Sequence, residues 1–211
     1  MGRTTDARER LLAAAMELFY ARGYQGVGID DLCERAGVRK GSFYYFFPSK
    51  RDLVLAALDQ RWKLAKEYMV APILSGDGAP LERIRRFFEA IADASTQEKS
   101  SSGTCGGCAF GNLSAEMSSH DAKIRQRVRK IFDEIASFVE KVIEEAVQRG
   151  DAPDVMPGEN ARALVAYMEG LLLLARTYND PSILRRLGQK AVDLAVARPN
   201  ASRHRRKSTR T

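Results

Sequence analysis

Five consecutive aromatic residues, Phe43-Tyr44-Tyr45-Phe46-Phe47, constrain the fold of this chain more than any other feature. If residues 40–47 form a helix, Phe43, Phe46 and Phe47 lie at positions i, i+3 and i+4 and share its buried face. The two tyrosines then point away from that face. The stretch from residue 35 to residue 51 contains no acidic residue and five basic ones: Arg35, Arg39, Lys40, Lys50 and Arg51. This pattern predicts a short helix whose exposed, positively charged side binds phosphate groups.

Two further helical patterns precede this stretch. Apolar residues at helical spacing follow a capping-box-like start at Asp6 and Glu9 and end at Gly23. A shorter helix is predicted over residues 29–36, because Gly37 is a typical C-terminal stop. Two short helices joined by a glycine-containing turn are typical of a helix-turn-helix, so we expect residues 1–58 to form a DNA-binding domain.

The rest of the chain is also helical in pattern, which predicts an all-α fold of about nine helices. Residues 59–197 should form a larger helical domain, with a helix over residues 121–149 as its spine. A polar loop is expected over residues 97–107. The last two helices, about 161–178 and 183–196, are apolar enough to favour a subunit interface. Other helices are predicted from Ser49 to about Met69, from Pro80, and over residues 109–117.

The charge of the chain is concentrated locally. The net charge of +7 arises largely from residues 198–211, which hold six Lys or Arg and no acidic residue and leave 28 basic against 27 acidic residues elsewhere. We expect this basic tail to be disordered. The patch around Lys40 is therefore a better sign of an acidic partner than the overall charge.

Several function classes are not expected from this composition. No apolar segment is long enough to span a membrane and no secretory signal opens the chain, so we expect a cytoplasmic protein without membrane contact. Three cysteines argue against a disulfide framework in such a protein. A zinc site is not expected, because Cys105, Cys108 and His120 would supply only three ligands at untypical spacing. Since no cofactor motif or catalytic set is found, we expect no cofactor and no enzyme.

The N-terminal residues resemble the signature of TetR-type transcriptional regulators. The matching segments are Gly23-Tyr24, Asp31-Leu32, Ala36-Gly37-Val38, Lys40-Gly41-Ser42-Phe43-Tyr44, Phe47-Pro48-Ser49-Lys50 and Leu53. This resemblance implies a homodimeric repressor that binds a palindromic, double-stranded DNA operator and is released by a small-molecule effector.

The resemblance also implies which residues contact DNA. The recognition helix corresponds to residues 40–47, with Tyr44 and Lys50 as phosphate anchors and Gly41 allowing close approach of the duplex. One position departs from the family pattern, because Val27-Gly28 stands where many relatives have Ser or Thr. The backbone amide there must replace a hydroxyl contact to phosphate. The predicted DNA contacts are Gly28, Arg39, Lys40, Gly41, Ser42, Tyr44, Tyr45 and Lys50.

A second, shorter segment resembles a motif from one branch of the same family. Gly107-Cys108-Ala109-Phe110-Gly111-Asn112-Leu113-Ser114-Ala115-Glu116 is similar to a motif in regulators that respond to reactive electrophiles and small unsaturated acids. In part of that branch the cysteine matching Cys108 is the sensor, and a helix N-terminus lowers the pKa of a thiol. The predicted effector and sensor residues are Cys105, as a resolving partner, together with Cys108, Asn112, Glu116 and Tyr167.

Alternatives to sensing stay open at this point. Cys105 and Cys108 could be two unreactive loop thiols, or the active site of a thiol-disulfide oxidoreductase, although the chain shows no βαβ setting for such an enzyme. Asn112 and Glu116 could be capping or solvated residues. Tyr167, Met168, Glu169 and Tyr178 could reach an effector pocket, although apolar stripes of this kind are more often core or interface.

Overall fold

The computed structural model describes residues 2–198, and the remainder of the predicted basic tail lies outside the described residues. Within this range the regular elements are all helical, as the sequence predicts. In chain order they are α1 (Gly2–Arg22), α2 (Ile29–Ala36), α3 (Lys40–Phe46), α4 (Lys50–Ala65), α5 (Ala71–Leu74), α6 (Pro80–Ser102), α7 (Ala109–Met117), α8 (Ala122–Gln148), α9 (Pro157–Tyr178), α10 (Ser182–Gly188) and α11 (Ala191–Ala195).

The first three helices enclose a small apolar core. Leu11, Leu32 and Phe43, one from each helix, have no exposed surface. α2 ends at Gly37, whose φ of 61° is a left-handed conformation that glycine adopts without strain. α3 follows directly after this turn, as the second helix of a helix-turn-helix.

α4 connects the small core to a larger one. Ser49 caps the helix by accepting the backbone N–H of Asp52 at 3.2 Å. Leu53 belongs to the small core, whereas Leu58 and Trp62 belong to the large core. Because both cores use side chains of one helix, a movement of α4 disturbs the packing of both.

The expected end of this helix near Met69 is replaced by a continuation. A π-helical turn, Lys66–Val70, joins α4 to α5. Pro72 lies in the first turn of α5, where its missing N–H costs little. The helix therefore runs past Pro72 to Leu74, about one turn further than predicted.

The larger core is built around α8, the predicted spine. Asp121 caps this helix by accepting the N–H groups of Lys123 and Ile124 at 2.9 and 3.1 Å. The apolar stripe of α8 packs on α6 and α9. Its most deeply buried members are Ile124, Val128, Ile131, Val142, Ile143 and Ala146.

Two expectations about the second half were wrong. Residues 97–102 are helical rather than a loop, because α6 continues to Ser102 and stops only at Gly103, with φ of 80°. The Ser102 hydroxyl donates to the carbonyl of Glu98 at 2.9 Å, so this polar side chain has a hydrogen-bond partner inside the helix.

The last predicted helix is divided into α10 and α11. Gly188 lies at this break, where an added Cβ would be 3.4 Å from the Phe88 Cβ.

The described range therefore holds ten helices if α4 and α5 are counted as one continuous helix, against about nine predicted. None of these helices combines the length and the apolar character needed to cross a lipid bilayer.

Candidate nucleic-acid interface and internal cavity

The aromatic residues of α3 divide between two sides of the helix. Phe43 and Phe47 are buried and Phe46 is half-buried, as the helical spacing predicts. The exposed fraction is 50% for Tyr44 and 75% for Tyr45. α3 therefore presents two phenol rings to a partner while its phenylalanines hold it in the core.

The N-terminal turn of α3 supplies positive charge beside these rings. Arg39 and Lys40 are exposed, Ser42 is half-buried, and nothing lies within 4 Å of a Cβ built on Gly41. The Lys40 Nζ pairs with Asp30 of α2 at 2.8 Å, and this hydrogen bond raises the pKa of the ammonium. Since the pair is exposed, exchanging Asp30 for a phosphate group costs little.

Lys50 is not placed as a free phosphate anchor. Its Nζ donates to the backbone carbonyls of Tyr24 and Val27 at 2.8 and 2.9 Å and lies 4.1 Å from the centroid of the Tyr24 ring. Burial lowers the pKa of this ammonium. In this structure Lys50 fastens the turn between α1 and α2 to the start of α4, and the direct phosphate contact expected of it would require these bonds to break.

The backbone amide of Gly28 also has an internal partner. Its N–H donates to the Asp31 carboxylate at 2.7 Å, and Asp31 pairs with Arg22 at 3.1 Å. These two contacts, the Gly28 N–H first, lower the pKa of Asp31. This hydrogen bond is part of the cap at the N-terminus of α2. Contrary to expectation, the Gly28 amide is therefore not free in this structure to donate to a phosphate in place of a hydroxyl group.

Two adjoining cavities lie between the small core and the large core. The smaller one, of about 390 Å³, is lined by α1, α4, α7 and Arg176 of α9. The larger one, of about 650 Å³, reaches on to α6 and to Met168 and Leu172 of α9. Met16, Tyr20, Arg61 and Ala109 line both. Both volumes fall in the range of small-molecule sites, so a ligand bound here would contact helices that build the small core and helices that build the large core.

Tyr20, on α1, was not predicted to take part in this site. Its hydroxyl lies 2.9 Å from the Gly107 carbonyl and 3.1 Å from the Glu98 carboxylate. Burial raises the pKa of this phenol, and the Arg61 guanidinium lies 5.4 Å from the ring centroid. Nothing local marks Tyr20, because its hydrogen-bond partners are 78 and 87 residues away in the sequence.

Cys108 is the N-cap of α7 and lines the larger cavity. Its Sγ accepts the Gly111 N–H at 3.4 Å, which is the helix N-terminal position that the sequence predicts. The prediction that this position lowers the pKa of the Cys108 thiol is nevertheless wrong. Burial raises the pKa of the thiol, and the Glu169 carboxylate raises it further. The free-energy cost of a buried thiolate beside a second negative charge exceeds the stabilisation that the helix N-terminus provides.

Cys105 has different surroundings. It is buried, its backbone N–H donates to the Asn179 side chain at 2.8 Å, and burial raises the pKa of its thiol. All three cysteines of the chain are free thiols. Among the residues that the structure describes, no group of three or more His, Cys, Asp or Glu is arranged to hold a metal ion.

The two polar residues of α7 bind neighbouring backbone. The Asn112 Nδ2 donates to the Gly106 carbonyl at 2.8 Å. The Glu116 carboxylate accepts the N–H groups of Tyr24 and Gln25 at 2.8 and 2.6 Å. A Cβ on Gly23 would lie 2.9 Å from a Glu116 oxygen, so glycine makes room for this contact. Both residues line the smaller cavity, and Glu116 fastens the C-terminal end of α7 to the turn between α1 and α2.

Tyr167, which we expected to reach the effector cavity, contacts α10 and α6 instead. Its hydroxyl donates to the Leu187 carbonyl at 2.8 Å, and its ring centroid lies 6.2 Å from that of Phe88. The next residue along α9, Met168, lines the larger cavity. Of these two neighbouring residues, both named from the sequence as able to reach a pocket, Met168 lines the cavity and Tyr167 packs elsewhere.

Comparison with known protein families matches both parts of the chain. The family model described as "Bacterial regulatory proteins, tetR family" matches residues 11–57. The one described as "Tetracyclin repressor-like, C-terminal domain" matches residues 80–191, which is more than half of the 211 residues.

Individual relatives agree with these matches. The chain is 30% identical over 179 residues to an uncharacterized HTH-type transcriptional regulator in the lacX 3' region of Lactococcus lactis subsp. lactis, covering 85% of this chain and 88% of the relative. It is 29% identical over 176 residues to the HTH-type transcriptional repressor NemR of Escherichia coli strain K12, covering 81% and 84%. The crystal structure of reduced E. coli NemR superposes with a TM-score of 0.79 and 26% identity, covering 93% of this chain and 100% of NemR. These similarities lend no support to the thiol-disulfide oxidoreductase alternative. The chain belongs to the TetR family of bacterial regulatory proteins.

Proposed function

We propose that the protein is a dimeric transcriptional repressor, released from a palindromic operator when a small molecule occupies the cavity or modifies Cys108. Residues 1–58 bind DNA, and residues 59–197 bind the effector and the second subunit. The similarity to HTH-type regulators and to the repressor NemR supports the DNA-binding part of this proposal.

The proposed DNA contacts come from the exposed side of α3. Arg39 and Lys40 neutralise phosphate, Ser42 and Tyr45 reach base edges or nearby phosphates, and Tyr44 anchors the backbone. Gly41 lets the duplex approach. Lys50 and Gly28 are given indirect roles, because their internal hydrogen bonds hold the turn and the helix on which α3 depends.

The proposed dimer interface lies on α9, α10 and α11. Large apolar residues are exposed on the first two of these helices, with exposed fractions of 61% for Leu173 and 69% for Tyr178, and Leu174 and Leu187 are exposed beside them. Several large apolar side chains exposed on neighbouring helices favour a protein–protein contact. A symmetric dimer would present two copies of α3, which must lie roughly 34 Å apart to enter successive major grooves.

The position of α7 is the main support for release of the protein from its operator by an effector. This helix begins at Cys108, on the larger cavity, and carries Glu116 near its end, bonded to the turn that leads into α2. An effector that displaces Cys108 or the first turn of α7 also displaces Glu116 and hence the DNA-binding half. Such an effector lowers operator affinity only if it prefers the displaced conformer.

The variant Glu116→Gln tests this coupling. A glutamine has one carbonyl oxygen and cannot accept both backbone N–H groups as the carboxylate does. Operator affinity is measured by fluorescence anisotropy with duplex from beside its own gene, before and after treatment with N-ethylmaleimide. We expect treatment to weaken binding by the parent about 5- to 150-fold and to leave the variant within about twofold of its untreated value.

The matched control is Glu144→Gln, an identical change at an exposed position of α8. It should respond to N-ethylmaleimide like the parent. A Glu116→Gln protein that keeps the parent's response contradicts the role of α7. A parent that shows no response contradicts release through Cys108.

A further inference from the structure

We propose that Glu169 is the base for Cys108: it takes the thiol proton as the sulfur adds to an electron-poor carbon–carbon double bond. The effector class that this assigns is an uncharged α,β-unsaturated carbonyl compound. The inference rests on the proposed function, in which the effector acts at Cys108.

Glu169 projects from α9 onto the first turn of α7. A Cβ added to Gly111 would collide with one oxygen of the Glu169 carboxylate, and the same Cβ would lie 3.4 Å from the Cβ of Cys108. The carboxylate and the thiol therefore lie side by side against the Gly111 backbone. Only glycine at this position allows the carboxylate to approach so closely.

The other oxygen of Glu169, Oε1, is buried and has no hydrogen-bond partner in the described part of the chain. An unpaired buried carboxylate oxygen is costly, and a native protein retains one where it has a use. Oε1 is available to accept a proton. Cys108, its neighbour, opens onto a cavity of about 650 Å³.

The electrostatics of the pair explain why a base is needed. Burial raises the pKa of the Cys108 thiol, so the free thiolate is scarce at neutral pH and the thiol alone is a weak nucleophile. Burial also raises the pKa of Glu169, which makes its carboxylate a stronger base. Moving the proton from sulfur to carboxylate leaves the charge of the pair unchanged. Burial therefore opposes this transfer much less than it opposes loss of the proton to water.

Other ionisable groups lie near the pair on four helices. Tyr20 of α1 bonds to Glu98 of α6, Arg61 of α4 lies over the Tyr20 ring, and Arg176 of α9 flanks Gly107. Because burial raises its pKa, the Tyr20 phenol stays protonated across the neutral range. The Glu98 carboxylate is engaged with the Tyr20 hydroxyl. Glu169 is therefore the carboxylate placed to exchange a proton with the thiol.

The proposed addition is balanced within the site. The S–H bond breaks and its proton moves to Glu169, while sulfur bonds to the β-carbon of the effector. The π electron pair moves onto the α-carbon and carbonyl as an enolate. Glu169 then returns the proton to the α-carbon, so nothing leaves and no oxidant is required. Trp62, Phe110 and Met168 line the cavity and favour an uncharged reactant over a carboxylate beside Glu169.

The test is the rate of Cys108 modification by N-ethylmaleimide, a neutral electron-poor alkene, followed by mass spectrometry with peptide mapping from about pH 6 to about pH 9. In the parent, the rate should become level with pH once Glu169 is ionised. In Glu169→Gln, it should be roughly 100-fold lower near neutral pH and should keep rising about tenfold per pH unit, following the scarce thiolate. Glu169→Asp should recover part of the rate, and Glu159→Gln, on the same helix, should match the parent.

Melting temperatures separate this role from a structural one. Because Oε1 has no partner, Glu169→Gln should melt no lower than the parent. If Glu169→Gln modifies Cys108 at the parent's rate with the parent's pH dependence, the proposal is overturned. If Cys108 of the parent is not modified at all, both this proposal and release through Cys108 are overturned. If the modification rates are as predicted but modification of Cys108 leaves operator binding unchanged, Glu169 is supported as the base. Only the proposed release from operator is then contradicted.

Discussion

Two carboxylates, each placed against a glycine, decide what the ends of α7 can do. Glu116 binds two backbone N–H groups beside Gly23, and Glu169 lies against Gly111 at the Cys108 end. A side chain at either glycine would displace its carboxylate. The two members of each pair are far apart in the sequence, so their pairing follows from tertiary packing alone.

Gly41 offers a test of the proposed DNA contact at the level of one residue. In Gly41→Ala, the added methyl meets no protein atom within 4 Å, and alanine is the better helix former. The free energy of unfolding should therefore increase by up to about 1 kcal/mol, as measured by urea denaturation. Operator affinity should fall, because the methyl group occupies the space into which the duplex packs.

Because stability is expected to rise while operator affinity falls, a loss of affinity in Gly41→Ala would not be explained by poor folding. A variant that is more stable and binds operator as tightly as the parent would show that DNA does not approach Gly41. The salt dependence of binding should stay that of the parent, since no charge is changed.

The helices differ in how far their sequences determine them. α2 and α7 begin and end where predicted, because glycines and capping residues lie at their boundaries. The inward side of α3 was also predictable, since Phe43 and Phe47 follow helical spacing. The end of α6 was not, because its last residues are polar, and Ser102 bonds to Glu98 within the helix. The break after α10 was missed because Gly188 packs there against Phe88, which is distant in the sequence. The cavity was missed for the same reason, since Tyr20 joins it through partners in the other half.

Asp31 makes the start of α2 sensitive to pH. Its folded pKa is lowered, first by the Gly28 N–H and then by Arg22, so it lies below that of the unfolded chain. The stability that Asp31 contributes is present above the unfolded pKa, about 3.9, and is lost as pH falls through the folded value. Asp31→Asn should melt at a lower temperature than the parent at neutral pH and should approach it in acid.

Thermal melts at neutral and acidic pH check this expectation. The control is Asp154→Asn, an exposed position after α8 that should melt like the parent at both pH values. A constant difference between Asp31→Asn and the parent at every pH would mean that the ionised carboxylate contributes nothing to the cap.

At the scale of the whole molecule, the proposed effector cavity and the link between the two cores occupy the same place. Both cavities lie where α1 and α4 of the DNA-binding half meet α7, and α4 contributes side chains to both cores. A ligand there cannot be accommodated by one half alone. This arrangement gives a physical reason for a chemical event at Cys108 to change the position of α3.

Operator binding by Cys108→Ser, compared with that of Cys105→Ser, tests this account most directly. Each protein is titrated with labelled operator before and after treatment with N-ethylmaleimide. We predict that the parent and Cys105→Ser lose affinity about 5- to 150-fold after treatment, whereas Cys108→Ser keeps its untreated affinity. If N-ethylmaleimide releases Cys108→Ser from operator as readily as it releases the parent, modification of Cys108 does not control operator binding.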